Sequence, residues 1–209
     1  MTTTAMTKTA MTKSAAPAGS EATYAHSPRP AGMPVSFTIQ GRKLVIDRMA
    51  QTIDVPLAEV VEMRVTYEPS SFAQSQLRTR LRLRNGPPVT LSSVSFRSVV
   101  FADRQDAQYG AFVRNLAQAV ARANPNARFA AGRPLPFWLA MIGSALVIMA
   151  AIVLFVVYAL GEGETTAAGI GVVVAAIGVW QLEPLIRLNR PQLFSPDAPP
   201  AALVPQPKA

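Results

Sequence analysis

Two long apolar runs in the C-terminal third constrain this chain more than any other feature. The first extends from Pro134 to Leu160 without a charged side chain, and the second from about Thr166 to Leu188. Gly161-Glu162-Gly163-Glu164-Thr165 separates them. A helix rises about 1.5 Å per residue and the hydrocarbon core of a bilayer is about 30 Å thick, so a span requires roughly 20 apolar residues. The pair predicts a transmembrane helical hairpin with spans at 136–160 and 166–188 and an external loop at 161–165. The second run is clean only from Ala167 to Leu182, which places Glu183 near an interface with Arg187 as its i,i+4 partner. Trp138 opens the first run and Trp180 nearly closes the second, so an antiparallel hairpin sets both indoles at one interface as anchors. Small residues four apart suit a close approach of the helices: Ala167, Gly171 and Ala175 in the second, Ala140 and Ser144 in the first.

The flanking charges orient this hairpin. Arg122, Arg128 and Arg133 precede it, Arg187 and Arg190 close it, and the loop carries only Glu162 and Glu164. Because basic residues stay on the cytoplasmic side, both termini are expected in the cytoplasm.

Composition narrows the chemistry. The 209 residues carry a formal net charge of +8, and there is no cysteine. Disulfides, thiolate zinc sites and thiol catalysis are therefore excluded. His26 is the sole histidine and falls in the N-terminal stretch, which removes most general-base and metal chemistry. No Gly-rich phosphate loop appears, and the serines at 92, 93, 95 and 98 have no histidine to activate them. The reading is a non-enzymatic protein without a cofactor.

Residues 1–33 are rich in Thr, Ala, Ser, Pro and Gly, and read as a disordered, low-complexity tail. The repeat Ala5-Met6-Thr7-Lys8 and Ala10-Met11-Thr12-Lys13 has no central apolar run, so it is not a secretory signal. Met1, Met6, Met11 and Met33 are all candidate translation starts.

From Val35 the pattern has period two. Val35, Phe37 and Ile39 alternate with polar residues, and Gly41-Arg42 suits a two-residue hairpin turn. Further strands follow at Lys43–Asp47, Gln51–Val55, Val61–Tyr67, Leu77–Leu83 and, after Asn85-Gly86-Pro87-Pro88, at Val89–Phe96. The period then turns helical. With Asp103 as N-cap, Tyr109, Phe112, Val113, Leu116 and Val120 share one face, and Asn124-Pro125 ends the helix. These elements define a domain at 34–125. A linker at 126–135 joins it to the hairpin, and a proline-rich, disordered tail occupies 189–209.

Strands in this order with one closing helix, and the segment Ile53-Asp54-Val55-Pro56-Leu57-Ala58-Glu59-Val60 leading into Arg64-Val65-Thr66-Tyr67-Glu68-Pro69, resemble the pleckstrin-homology-like superfold. The resemblance covers about Val35 to Asn124 and extends to uncharacterised bacterial membrane proteins that carry this domain ahead of a hairpin. It implies an α+β fold: a small, curled antiparallel sheet with a C-terminal capping helix, followed by the hairpin. It also implies a multi-pass protein of the bacterial inner (plasma) membrane. Lipid-binding members of the superfold use basic residues in the first hairpin loop, where this chain has Arg42 and Lys43, with Arg48 further on.

The most unusual soluble segment is Leu77-Arg78-Thr79-Arg80-Leu81-Arg82-Leu83-Arg84. Alternate strand residues share a face, so Arg78, Arg80, Arg82 and Arg84 form a basic row while the leucines turn to the core. Guanidinium groups suit phosphate, and the short linker keeps the row near the bilayer, which favours anionic lipid headgroups. The competing reading is a solvated strand whose arginines are partly neutralised by Glu62 and Glu68 on a neighbouring strand. No aromatic residues interleave with the arginines, which disfavours nucleic acid. Two functions follow: binding of lipid headgroups or scaffolding of a membrane complex, and, alternatively, an accessory subunit of a membrane enzyme or transporter. In the second, the hairpin packs against a larger partner or another copy of the chain.

Overall fold

The computed structural model describes residues 22–28, 32–49, 51–69, 75–96 and 102–206. Strands β1 (Thr23–His26), β2 (Val35–Gln40), β3 (Lys43–Arg48) and β4 (Gln51–Pro56) form one antiparallel sheet in chain order. Its β2–β3 turn is the two-residue Gly41-Arg42, with Gln40 paired to Lys43 and Gly41 at φ +57°, a conformation that glycine adopts without penalty. A single 3₁₀ turn, Leu57–Glu59, then carries the chain into a second sheet. Strands β5 (Val60–Pro69), β6 (Ser75–Leu83) and β7 (Val89–Ser92) pair antiparallel there. Two further strands extend that sheet beyond β5: β10 (Arg128–Ala131), which runs parallel to β5, and β11 (Gln192–Leu193). A small ribbon of β8 (Val94–Phe96) and β9 (Ala102–Arg104) leads to helix α1 (Asp106–Ala123).

The core lies between the two sheets and under α1. Leu44, Ile46, Leu57, Met63, Val65, Leu81, Leu91, Leu116 and Val120 are almost completely buried in it. All five apolar residues expected on the inner face of α1 are buried. The helix begins later than expected. Asp103 sits in β9, and Gln105 occupies the N-cap position because its N–H is held by the Ser93 carbonyl at 2.8 Å. Asn124 ends the helix as anticipated, and its amide also donates to the Val60 carbonyl at 3.0 Å.

The strand expected over Val89–Phe96 is interrupted at Ser93. The Ser93 hydroxyl accepts from the Leu77 N–H at 3.0 Å, and the Ser92 hydroxyl accepts from the Val94 N–H at 3.2 Å. Side chains thus replace ladder bonds at the point where the strand bends.

Three stretches expected to be unstructured carry structure. Within 1–33, β1 adds an edge to the first sheet, with Tyr24 and His26 buried. His26 stacks on Phe37 and on Tyr24, and Tyr24 reaches Phe112, so two large rings supply apolar contact that the composition of the stretch conceals. Residues 1–21 lie outside the described residues. Within 126–135, β10 lies against β5. Within 189–209, the chain folds back on the sheet domain: Phe194 meets the Phe129 ring, and Leu203 and Val204 are 1% exposed. Arg114 of α1 donates to the carbonyls of Val204 and Pro205, and a Cβ at Gly110 would collide with the Pro205 carbonyl.

Helices α2 (Leu135–Gly161) and α3 (Thr165–Leu188) are both long and apolar enough to cross a membrane. At 1.5 Å per residue they extend for about 40 and 36 Å. Large side chains such as Leu146, Leu154, Ile170 and Val173 are left uncovered along them. They pack on each other through Ala159, Ala168 and Gly171, whose missing Cβ makes room for Val156 and Phe155. Ala140 and Ser144 do not join this contact; both are exposed, and the Ser144 hydroxyl bonds to the Ala140 carbonyl of its own helix.

The base of the hairpin is tied to the second sheet. Gly132, at φ +77°, donates its N–H to Val65 and passes so close to the carbonyls of Asn189 and Arg190 that no Cβ would fit. Asn189 is fully buried. Its side-chain oxygen accepts from the Tyr67 N–H at 3.1 Å, and its amide donates to the Tyr67 carbonyl at 2.8 Å and to the Leu185 carbonyl at 3.1 Å. Where β10 ends, this one side chain continues the pairing of β5.

Candidate functional site

The outer face of the second sheet follows directly from the alternation. Met63, Val65, Leu77, Thr79 and Leu81 point inward, so Glu62, Arg64, Thr66 and Glu68 of β5 and Arg78, Arg80 and Arg82 of β6 point outward. The register sets Glu62 opposite Arg82, Arg64 opposite Arg80, and Thr66 opposite Arg78. On the other side of β6, Arg80 faces Thr90.

These residues form one wall of a cavity of about 500 Å³. Arg133, Pro134 and Phe137, from the lead and first turn of α2, form another. Five arginines and two glutamates line the space. Both glutamates are engaged. Glu62 takes the Nε and Nη2 of Arg64 and lies 3.5 Å from the Nε of Arg82. Glu68 holds the Arg78 Nη1 at 2.7 Å. Arg64 also gives its Nη1 to the Gly132 carbonyl at 3.1 Å. The neutralisation expected from Glu62 and Glu68 is therefore present, but it is partial. Among the described residues, the guanidinium groups of Arg80 and Arg133 have no partner. The Nε atoms of Arg78 and Arg133 are buried without an acceptor.

The other sequence candidates lie elsewhere. Arg84 falls beyond the end of β6, so it leaves the alternation; it is exposed, with its N–H on the Glu59 carbonyl. Arg42 lies in the β2–β3 turn and Lys43 opens β3, where it pairs with Asp54 at 3.3 Å. Neither lines the cavity. Trp138 donates its indole N–H to the Ile186 carbonyl at 2.9 Å, capping a carbonyl that the helix end leaves open. Trp180 is exposed and sits six residues before Ile186, about 9 Å along the axis, so the two indoles are not level. Arg187 and Glu183 form the expected pair at 2.8 Å. Arg64, Arg133 and Phe137 were not among the sequence candidates for the site. Arg64 was discoverable from its period-two spacing with Glu62, whereas Arg133 and Phe137 reach the cavity only through the fold of the linker.

Two buried polar clusters lie inside the sheet domain. Burial lowers the His26 pKa from 6.5 to about 4 and raises the phenols of Tyr24 and Tyr109. The Tyr109 hydroxyl meets the Thr79 hydroxyl, and the Tyr24 hydroxyl donates to the Ser92 carbonyl. Both bonds lie within the core. Among the described residues no group of three or more His, Cys, Asp or Glu side chains is placed to hold a metal ion. Comparison with family models, with curated proteins and with solved structures returns no match.

Proposed function

We propose that this chain is a non-catalytic, multi-pass membrane protein whose sheet domain engages anionic lipid headgroups at the base of its hairpin. In this reading the sheet domain is pleckstrin-homology-like, with two sheets enclosing a core that α1 closes. The protein resides in the bacterial inner membrane, and the arginines flanking α2 and α3 hold both termini in the cytoplasm. One observation carries the lipid assignment: the arginine face and the first turn of α2 line the same cavity. A helix that enters a bilayer at Pro134–Phe137 places that cavity at headgroup depth. A basic residue close to an anionic leaflet gains about 1 kcal/mol, so this face adds orientation to an anchorage that the hairpin already provides.

The test uses the full chain in nanodiscs. Ligands that bind the folded state raise its stability. Phosphatidylglycerol discs should raise Tm by several degrees over phosphatidylcholine discs, and the increment should fade at 1 M salt as the charges are screened. Replacing Arg78, Arg80 and Arg82 by Gln should abolish the increment. An equal Tm in both lipids refutes the assignment.

A second reading, an accessory subunit that packs against a larger partner, draws on the exposed face of α2. Ala140, Gly143 and Ser144 leave a patch of small side chains there, with open space around Gly143. Small residues of this kind admit another helix. Gly143→Leu would reduce co-purification of a partner in that reading and leave the lipid-dependent Tm unchanged.

A further inference from the structure

We infer that Arg78, Arg80 and Arg133 form a discrete site for the phosphate group of a single anionic phospholipid. This rests on the lipid reading above and sharpens it from a charged surface to a defined ligand geometry.

The argument starts from the donors left over. Each guanidinium carries five N–H groups. Glu62 and the Gly132 carbonyl take three of those of Arg64, Glu62 also lies against Arg82, and Glu68 engages one end of Arg78. Arg80 and Arg133 keep their full forks, and Arg78 keeps its Nε. Buried donors are nearly always satisfied in folded proteins, and the two arginines that each leave a buried Nε unpaired both line this cavity, beside the exposed and unpaired Arg80. The three arginines come from two elements. Arg78 and Arg80 are spaced along β6, while Arg133 approaches from the lead of α2. A phosphate takes donors from several directions, which a planar carboxylate does less well.

The apolar wall identifies the carrier. Pro134 and Phe137 line the same cavity, and Phe137 is 66% exposed at the start of a helix long enough to span a bilayer. A lipid presents its phosphate and its acyl chains across this same boundary, whereas free phosphate has nothing to place against Phe137.

Native mass spectrometry of the full chain, extracted from membranes and titrated with phosphatidylglycerol, tests this. The wild type should retain one lipid. Arg80→Lys with Arg133→Lys keeps the charge but loses the fork, and should weaken retention about tenfold. It should leave Tm in phospholipid-free detergent unchanged, because neither side chain bonds to the protein. A control with Arg42, Lys43 and Arg84 changed to Gln should retain the lipid as wild type does. Millimolar inorganic phosphate should not displace it. Equal retention by the Lys variant, or equal loss in the control, overturns the discrete site while leaving lipid binding intact. Displacement by inorganic phosphate overturns the lipid as carrier. Loss of all phosphatidylglycerol dependence in the wild type removes the underlying lipid reading as well.

Discussion

Asn189→Ala is the most informative single perturbation of this structure. The asparagine is fully buried where the hairpin leaves α3, and its side chain satisfies three backbone groups: the Tyr67 N–H, the Tyr67 carbonyl and the Leu185 carbonyl. β10 ends at Ala131, opposite Val65, so β5 has no strand partner on that side at Tyr67. Alanine removes three hydrogen bonds worth about 1 kcal/mol each and orphans groups whose desolvation costs about 1–3 kcal/mol apiece. Some solvent entry will relieve that cost, which sets the expected loss at roughly 3 kcal/mol. A loss of that size is about a hundredfold in a local opening equilibrium. Hydrogen exchange on the full chain in nanodiscs reads this at the peptide containing Tyr67, which should exchange about a hundred times faster in the variant. Peptides from β2 and β3 should change little, since their sheet makes no bond to Asn189. Unchanged exchange at Tyr67 would show that Asn189 does not join the hairpin to the sheet.

The remaining predictions concern the core, pH and topology. Leu116→Ala, at a fully buried position on α1, should destabilise the sheet domain by about 2–5 kcal/mol in chemical denaturation of the full chain; a loss under 1 kcal/mol would mean that α1 does not close the core. His26 is neutral in the fold, with a pKa near 4 against 6.5 in the unfolded chain, so the unfolded state binds the extra proton. Stability from this group is complete above pH 6.5 and is lost as pH falls towards 4, by roughly 3 kcal/mol in total. Denaturation at successive pH values should show that slope in the wild type and a flatter one in His26→Phe, and equal slopes would contradict the assignment. For topology, Gly163→Cys should react with an impermeant maleimide from outside intact cells, and Asn85→Cys, on the exposed β6–β7 connection, should not. The reverse pattern would invert the orientation.

Local periodicity made much of the fold legible. The strands β2 to β6 and the inner face of α1 announce themselves because one side of each element is apolar at its own period, as with Leu77, Leu81 and Leu83 between arginines. The elements that escaped owe their existence to distant residues. β1 offers only Tyr24 and His26 to the core, and finds its place by pairing with β2. β10 is four residues long and parallel to a strand about 66 positions earlier, a pairing that no local pattern encodes. The tail looked disordered because six prolines remove its helical and strand signals, yet prolines do not prevent Leu203 and Val204 from entering a core. In the candidate site the basic row was visible from spacing alone. Which of its members remain free was not, because that depends on register: Glu62 and Glu68 select Arg64, Arg78 and Arg82 and pass over Arg80.

The burial of Leu203 and Val204 also dictates an order of events during synthesis. These residues are translated after both apolar helices, yet they complete a core whose other side chains precede the helices. The sheet domain therefore emerges from the ribosome first but lacks part of its interior until the hairpin has been made and the chain has returned to the same side. Completion of both helices becomes a precondition for finishing the domain. A chain whose hairpin fails to turn back would leave α1 with an open apolar groove, a signal that proteases and chaperones recognise.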